Sequence, residues 1–309
     1  MSRAVMYEEF GGPEVLNVTE VTEPHPGPGE VRIRVTAAGL NPMDWIIAAQ
    51  AEAAEMWGVS LPAGFGSDFA GVVDEVGEGS ERFSPGDRVF GGAIAKAVAD
   101  YAIVSTEPSA LYELHHLPDD VSDEIGAALA TPGLTAAAAL DTIGVGPGDT
   151  MLIGGAAGGV GVLTVQLATL AGARVIGTGS EGTFDFLRSL GAEPVTYGPG
   201  LADRVRALAP EGVTAAADLF GTETVEAALE LGVAKQRITW IAAGGAVPDG
   251  IRWSTGSEAA PGALEKIVHA VSAGDIAVPI AATFPLEQIR DAVQLQAGRH
   301  AHGKIVVVP

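Results

Sequence analysis

Met151-Leu152-Ile153-Gly154-Gly155-Ala156-Ala157-Gly158-Gly159-Val160-Gly161 is the stretch whose reading decides the fold. A short apolar strand runs into small residues, and a helical apolar pattern follows from Val160 to Leu170. Ala156, Gly158 and Gly161 occupy the three spaced positions of a dinucleotide fingerprint. The first position allows a tight turn. The second lets backbone approach a pyrophosphate, and the third lets helix and strand pack closely. Amides at the helix N-terminus then face the phosphates, favoured by the helix dipole. The contacts predicted from this turn are Ala157, Gly158, Gly159 and Val160. Met151 to Ala173 carries no charge and is long enough to span a bilayer. Its six glycines and its strand-turn-helix pattern argue for a soluble βαβ unit instead.

Downstream, the alternation continues. Arg174 to Thr178 reads as a strand, Thr183 to Leu190 as a helix, and Ala215 to Leu219 and Ile238 to Ile241 as strands. Strand-helix alternation at this spacing predicts a parallel sheet with helices on both faces. The second strand ends Ile176-Gly177-Thr178-Gly179-Ser180. Gly179 stands where an NAD site usually places an acid on the ribose hydroxyls. The missing carboxylate removes its repulsion of a 2′-phosphate, and Ser180 and Thr183 offer hydroxyl donors. NADP is therefore the cofactor expected, although Glu181 follows and no base stands beside it. On this reading Gly179→Asp would shift preference toward NADH.

Upstream, short strands alternate with glycine and proline turns. They are Ala4 to Tyr7, Leu16 to Val21, Val31 to Val35, Gly71 to Gly77, Arg88 to Phe90 and Tyr101 to Val104. Such a run predicts a small β-barrel-like domain. Ser122 to Leu140 reads as helical with a break at Pro132-Gly133. Near the end, Phe284-Pro285-Leu286 enters a helix and Ile305 to Val308 closes as a strand.

Composition narrows the function. Asp and Glu number 39 against 17 Lys and Arg, a net charge of -22 over 309 residues. So acidic a surface repels phosphate backbones and argues against nucleic acid as a partner. The absence of cysteine excludes disulfides, Cys-ligated zinc and a thiol nucleophile. Met1 to Glu9 lacks an apolar signal core, so a cytoplasmic enzyme is the expectation.

An ordered set of short motifs resembles the quinone oxidoreductases of the medium-chain dehydrogenase/reductase superfamily. The motifs are Ala37-Ala38-Gly39-Leu40-Asn41-Pro42-Met43-Asp44, Gly66-Ser67-Asp68-Phe69-Ala70-Gly71-Val72-Val73, Pro85-Gly86-Asp87-Arg88-Val89 and Gly133-Leu134-Thr135-Ala136. The Gly154 to Gly161 turn, Leu190-Gly191-Ala192, Phe284-Pro285-Leu286 and Gly303-Lys304-Ile305-Val306 complete it. The resemblance implies an α/β fold with a GroES-like β-barrel domain (residues 1–118 and 277–309) and an inserted doubly wound Rossmann domain (residues 119–276). It also implies an active site in the cleft between them, and a homodimer. By the same resemblance Tyr197 would stand near the 2′-phosphate, Thr135 would hold the nicotinamide carboxamide, and Ile241 and Ala242 would line the nicotinamide pocket.

The zinc-dependent members of that superfamily use Cys or His ligands. Here Asn41 stands near the usual Cys and Ser67-Asp68 where a His-Glu pair is usual, so no metal is expected. His115, His116, His300 and His302 read as surface residues. Without a Lewis acid, a simple alcohol is a hard substrate, and reduction of a quinone or enone is the easier task. Asn41 would donate a hydrogen bond to the carbonyl or to a ribose hydroxyl. Asp44 would position Asn41 or relay a proton through water. Both residues also fit a plain polar cap in a loop around Pro42. The segment Ile46-Ile47-Ala48-Ala49-Gln50 departs from the family pattern, so the substrate wall is not inherited. An enoyl-thioester reductase and a non-catalytic NADPH-binding protein remain alternatives.

Overall fold

The computed structural model describes residues 1–107, 113–242, 247–299 and 301–309. They form two compact units. The first comprises Met1–Thr131, Leu264–Ala273 and Val278–Pro309; the second comprises Pro132–Ala263 and Gly274–Ala277. These limits differ from those expected from sequence, because residues 119–131 and Leu264–Ala273 join the first unit. The bonds explain it: Thr131 reaches Asp68, Ser272 bonds Asp120, and Glu265 lies against His115.

In the first unit the chain forms β1 (Ser2–Tyr7), β2 (Asn17–Val21), β3 (Glu30–Gly39), α1 (Pro42–Ala49), α2 (Ala51–Met56) and β4 (Ala63–Gly64). It continues through β5 (Asp68–Val76), β6 (Arg88–Gly92), β7 (Tyr101–Ser105), β8 (His115–His116) and α3 (Asp123–Gly126). The period-two pattern of β3 holds only in part: Val31, Ile33 and Val35 enter the core and Arg34 is exposed, but Arg32 is buried as well, bonded to Asp74 and to the Pro24 carbonyl. This strand runs on to Gly39, where a Cβ would lie 2.0 Å from the carbonyl oxygen of Ala127. Only glycine permits that approach. The segment after Pro42, expected as a loop, is a helix with Asn41 at its N-cap and Pro42 in its first turn.

The second unit is built on α4 (Ala130–Ile143), β9 (Thr150–Gly154), α5 (Gly161–Leu170), β10 (Arg174–Gly179), α6 (Phe184–Ser189) and β11 (Ala192–Thr196). After these come α7 (Leu201–Leu208), β12 (Ala215–Asp218), α8 (Glu223–Glu230), β13 (Ile238–Trp240) and β14 (Arg252–Trp253). The sheet order is β11-β10-β9-β12-β13-β14, and every pairing is parallel. Numbered from β9, that is 3-2-1-4-5-6, the doubly wound dinucleotide-binding order. Leu152, Ile176, Ala216 and Ile238 are buried, as central parallel strands covered on both faces require. The expected break at Pro132-Gly133 is absent. The interruption falls at residues 127–129, and Pro132 sits in the first turn of α4, where its missing N–H costs nothing. The uncharged stretch from Met151 divides into β9, a turn and α5, and no helix among the described residues is long and apolar enough to cross a membrane.

The chain then adds α9 (Ala263–Ser272), β15 (Ile280–Pro285), α10 (Ile289–Ala297) and β16 (Lys304–Val308). Phe284-Pro285 ends β15, and Leu286 opens the 3-10 turn that runs into α10, so the segment enters a helix as expected but does so from a strand. The sheet order is β15-β16-β3-β5-β6-β8, with β7 also on β3. Two registers bring residues distant in sequence to the same strand ends. Gly39 pairs with Asp68 across β3 and β5, and Val306 pairs with Gly39 across β16 and β3.

Candidate functional site

Because the second unit's strands are all parallel, the residues following them lie along one edge of the sheet. Ala157, Gly158, Gly159 and Val160 follow β9, Ser180 and Thr183 follow β10, Tyr197 follows β11, and Ile241 and Ala242 follow β13. The strand order reverses between β9 and β12, the point at which open α/β sheets bind ligands. Thr135 is not on this edge by connectivity; it is buried on α4.

The glycines of the turn have separate tasks. Gly155 supplies the positive φ, +70°. A Cβ on Gly161 would lie 2.2 Å from the Gly155 oxygen and 2.6 Å from that of Ala156, so the third position is what lets α5 pack on β9. A Cβ on Gly158 would meet only the Gly155 oxygen, at 3.3 Å, with open space beyond. That position keeps room for a ligand. The N–H groups of Val162 and Leu163 already bond the carbonyls of Gly158 and Val160, so those of Gly159, Val160 and Gly161, just before them, are the ones that can face an anion. These residues fit a dinucleotide pyrophosphate.

At the end of β10, Ser180 is exposed, but Thr183 is buried and donates its hydroxyl to the Ser180 carbonyl at 2.7 Å. A Cβ on Gly179 would lie 2.3 Å from that hydroxyl oxygen and 2.8 Å from Leu187. Gly179→Asp is thus no clean cofactor switch. It is expected to lower the melting temperature and to weaken both cofactors. Thermal melts beside NADH and NADPH titrations check this, and a fully stable variant with a simple preference for NADH would contradict it. Tyr197 is 58% exposed. Its loop is held by Arg204, which sequence reasoning missed. The guanidinium donates to the carbonyls of Thr196, Tyr197, Gly198 and Pro199 at 2.8–3.1 Å. A single arginine on an amphipathic helix gives no signal of such a role.

In the first unit the two strand registers bring Asn41, Ser67-Asp68 and Lys304 together. The Asn41 amide Nδ2 donates to Asp68 at 2.9 Å, and the Lys304 ammonium donates to Asn41 Oδ1 at 2.6 Å and to the Leu40 carbonyl at 2.7 Å. Thr131 donates its hydroxyl to Asp68 at 2.6 Å. Asp44 accepts from the Asn41 backbone N–H at 2.7 Å and from the Ser67 hydroxyl at 2.5 Å. The first of these bonds is the returning half of a capping box, so Asp44 does serve the polar cap. Asn41, Asp44, Asp68 and Lys304 are all buried.

Burial sets the electrostatics. Asp44 is pushed up to about 7 by desolvation, against the pull of Ser67 and the Asn41 N–H. Asp68 is raised by burial, opposed first by Lys304. Lys304 is lowered by burial, opposed by Asp68 and Asp44. Tyr7 is raised by burial and by the charge of Asp44. A cleft of about 10 Å³, room for one water, is lined by Tyr7, Asp44, Phe65 and Ser67 among others.

His115 is a correction. It was expected on the surface, but β8 carries it into the core, beside Phe90 and 3.1 Å from Glu265. Burial lowers its pKa, while Glu265 and Glu113 oppose that shift. The ligand atoms of Glu113, His115 and Glu265 lie within 4.8 Å of one another, but Arg82 already bonds Glu113. His116 and His302 are exposed, and His300 lies outside the described residues.

Comparison with known proteins agrees with this geometry. Residues 27–110 match the alcohol dehydrogenase GroES-like domain, and residues 190–307 match the zinc-binding dehydrogenase family. The quinone oxidoreductase of Rattus norvegicus is 38% identical over 185 residues, 59% of this chain and 54% of the rat protein. The chain thus spans about half the length of the curated relatives it matches. An NAD-dependent alcohol dehydrogenase structure is 31% identical with a TM-score of 0.87 over 99% of both chains. A mycobacterial protein solved in complex with NADPH is 29% identical with a TM-score of 0.85 over 100% of both. This chain belongs to the medium-chain dehydrogenase/reductase superfamily, with a GroES-like domain and a Rossmann-type domain.

The name of one matched family implies zinc. Zinc needs Cys, His or carboxylate ligands in a tetrahedron. Here the convergent groups are a carboxamide, a hydroxyl and two carboxylates. Asn41 and Asp68 bond each other, and an ammonium already donates to Asn41. These residues do not fit a zinc site.

Proposed function

We propose that this protein is a zinc-independent, NADPH-dependent oxidoreductase that reduces a quinone or an activated enone or carbonyl. The observation that carries the reading is the Gly154–Gly161 turn at the switch point of a 3-2-1-4-5-6 sheet whose second strand ends without an acid. The relatives divide on the cofactor, so the end of β10 is the better guide: it ends at Gly179 without an acid, and the exposed Ser180 and Tyr197 offer donors for a 2′-phosphate. When bound, NADPH supplies the hydride, and one further proton completes reduction of the acceptor.

The chain's residues bind and orient. The amides after Gly158 face the pyrophosphate, Thr135 takes the nicotinamide carboxamide, and Ile241 and Ala242 line its pocket. Asn41 retains one N–H for an acceptor carbonyl or a ribose hydroxyl. Asp44, titrating near neutrality beside a water-sized cleft, holds the proton.

NADPH consumption with a panel of quinones, enones and enoyl thioesters tests the reading. Turnover of quinones or enones is expected; turnover of thioesters alone, or none at all, would replace it. Fluorescence titration should show tighter binding of NADPH than of NADH, and equal or reversed affinities would refute the cofactor choice. We also expect a homodimer. β14 closes the described sheet at one edge, with Trp253 half exposed and stacked on Trp240 at 6.0 Å. Light scattering should report twice the chain mass of 31.3 kDa, and a monomer would refute it.

A further inference from the structure

Lys304 opens β16 and is 3% exposed. Taking an ammonium out of water costs several kcal/mol unless it is well bonded, so a lysine placed here needs a reason. Backbone geometry commits it to this place. Gly303 turns into the strand at φ +100°, where a Cβ would lie 2.2 Å from the Pro279 oxygen, and the Lys304 N–H bonds that same oxygen at 2.9 Å. Antiparallel pairing of β16 with β3 then faces the side chain toward Leu40 and Asn41.

No carboxylate lies within 4.0 Å of the ammonium among the described ion pairs. Its charge is passed on through Asn41, which accepts from Lys304 on Oδ1 and donates to Asp68 from Nδ2. A carboxamide can ordinarily be turned end for end. This one cannot, because an ammonium only donates and a carboxylate only accepts. Asp68 is itself held by the N–H and hydroxyl of Thr131. One amide N–H of Asn41 remains uncommitted to Asp68.

We propose that Lys304 is a positioning residue, the resident cation of this centre, which fixes the Asn41 carboxamide by a direct hydrogen bond so that its second N–H is presented to the acceptor oxygen. The proposal rests on the function proposed above for Asn41, and the test separates the two.

Lys304→Met removes donor and charge. Lys304→Gln keeps a donor for Asn41 Oδ1 and drops the charge. The Asn41 side-chain amide signal, assigned with Asn41→Ala, is followed by NMR hydrogen exchange, and steady-state kinetics are measured with NADPH and a quinone. In Lys304→Met, amide protection and kcat should each fall about tenfold or more, as loss of a charge-assisted hydrogen bond implies. KM for NADPH should stay within about twofold, since the pyrophosphate turn is untouched and the proposal gives the second Asn41 N–H to the acceptor rather than to the ribose. Lys304→Gln should recover most of both losses. Wild-type amide protection in a folded Lys304→Met protein would overturn the proposal, and so would a Gln variant no better than Met. If Lys304→Met does not fold, Lys304→Gln decides alone: retained protection supports the proposal and lost protection refutes it. Absence of turnover in the wild type would sink the proposed function, while the exchange measurement would still decide whether Lys304 holds Asn41.

Discussion

Gly158→Val is expected to abolish measurable NADPH binding while leaving the protein folded. Gly158 lies half-buried in the turn, and a first side-chain carbon there would meet only the Gly155 oxygen, at 3.3 Å. The backbone can therefore give way to it. The γ-methyls of valine would project beyond, into the space where phosphate oxygens approach. Losing two charge-assisted hydrogen bonds at roughly 1.5–3 kcal/mol each weakens binding by about a hundredfold or more. Gly161→Ala is expected to fail the other way. Its Cβ would lie 2.2 Å and 2.6 Å from two backbone oxygens, so α5 must lift from β9. Overpacking of that kind costs about 3 kcal/mol or more. Calorimetric titration with NADPH and melts followed by circular dichroism separate the two outcomes. A folded Gly158→Val protein with near-wild-type affinity would remove the phosphates from this turn and the cofactor assignment with them.

Asp44→Asn is expected to remove a loss of stability that the wild type suffers between about pH 4 and pH 7. Burial holds Asp44 at about 7 in the folded protein, against about 3.9 in an unfolded chain. The folded state thus binds the proton more tightly. Its contribution is fully present below the unfolded value and is lost as pH rises through the folded one. The span amounts to about 4 kcal/mol. Asparagine can imitate the protonated acid: its oxygen accepts the Asn41 N–H and its amide donates to the Ser67 hydroxyl, which can reverse its role. Urea denaturation at pH 4 and pH 7.5 should give similar stabilities for variant and wild type at the lower pH and an advantage to the variant at the higher. A difference that does not change with pH would show that Asp44 is ionised throughout. If Asp44 holds the proton for reduction, wild-type kcat should fall as pH rises past 7, while the variant should be slow and flat.

The parts of this protein that its sequence determined are those governed by a few neighbouring residues. The turn from Gly154 to Gly161 is one, since backbone freedom at Gly155 and close packing at Gly161 are properties of single positions. The alternating strands and helices of the second unit are another, because period two and period 3.6 are written in consecutive residues. The missing acid at Gly179 was legible for the same reason. The Asn41-Asp44 cap is legible too, three residues apart, although the helix that it opens reads from the sequence as a loop. The polar centre belongs to tertiary structure. Lys304 and Asn41 meet across 263 residues, and Asp68 and Asn41 across 27, because strand registers bring three strand ends together. Burial likewise decided what composition could not: that His115 is in the core, that Thr183 spends its hydroxyl on its own backbone, and that Asp44 holds its proton near neutrality. A side chain's type is local, but the solvent it loses and the partner it gains depend on every segment folded against it.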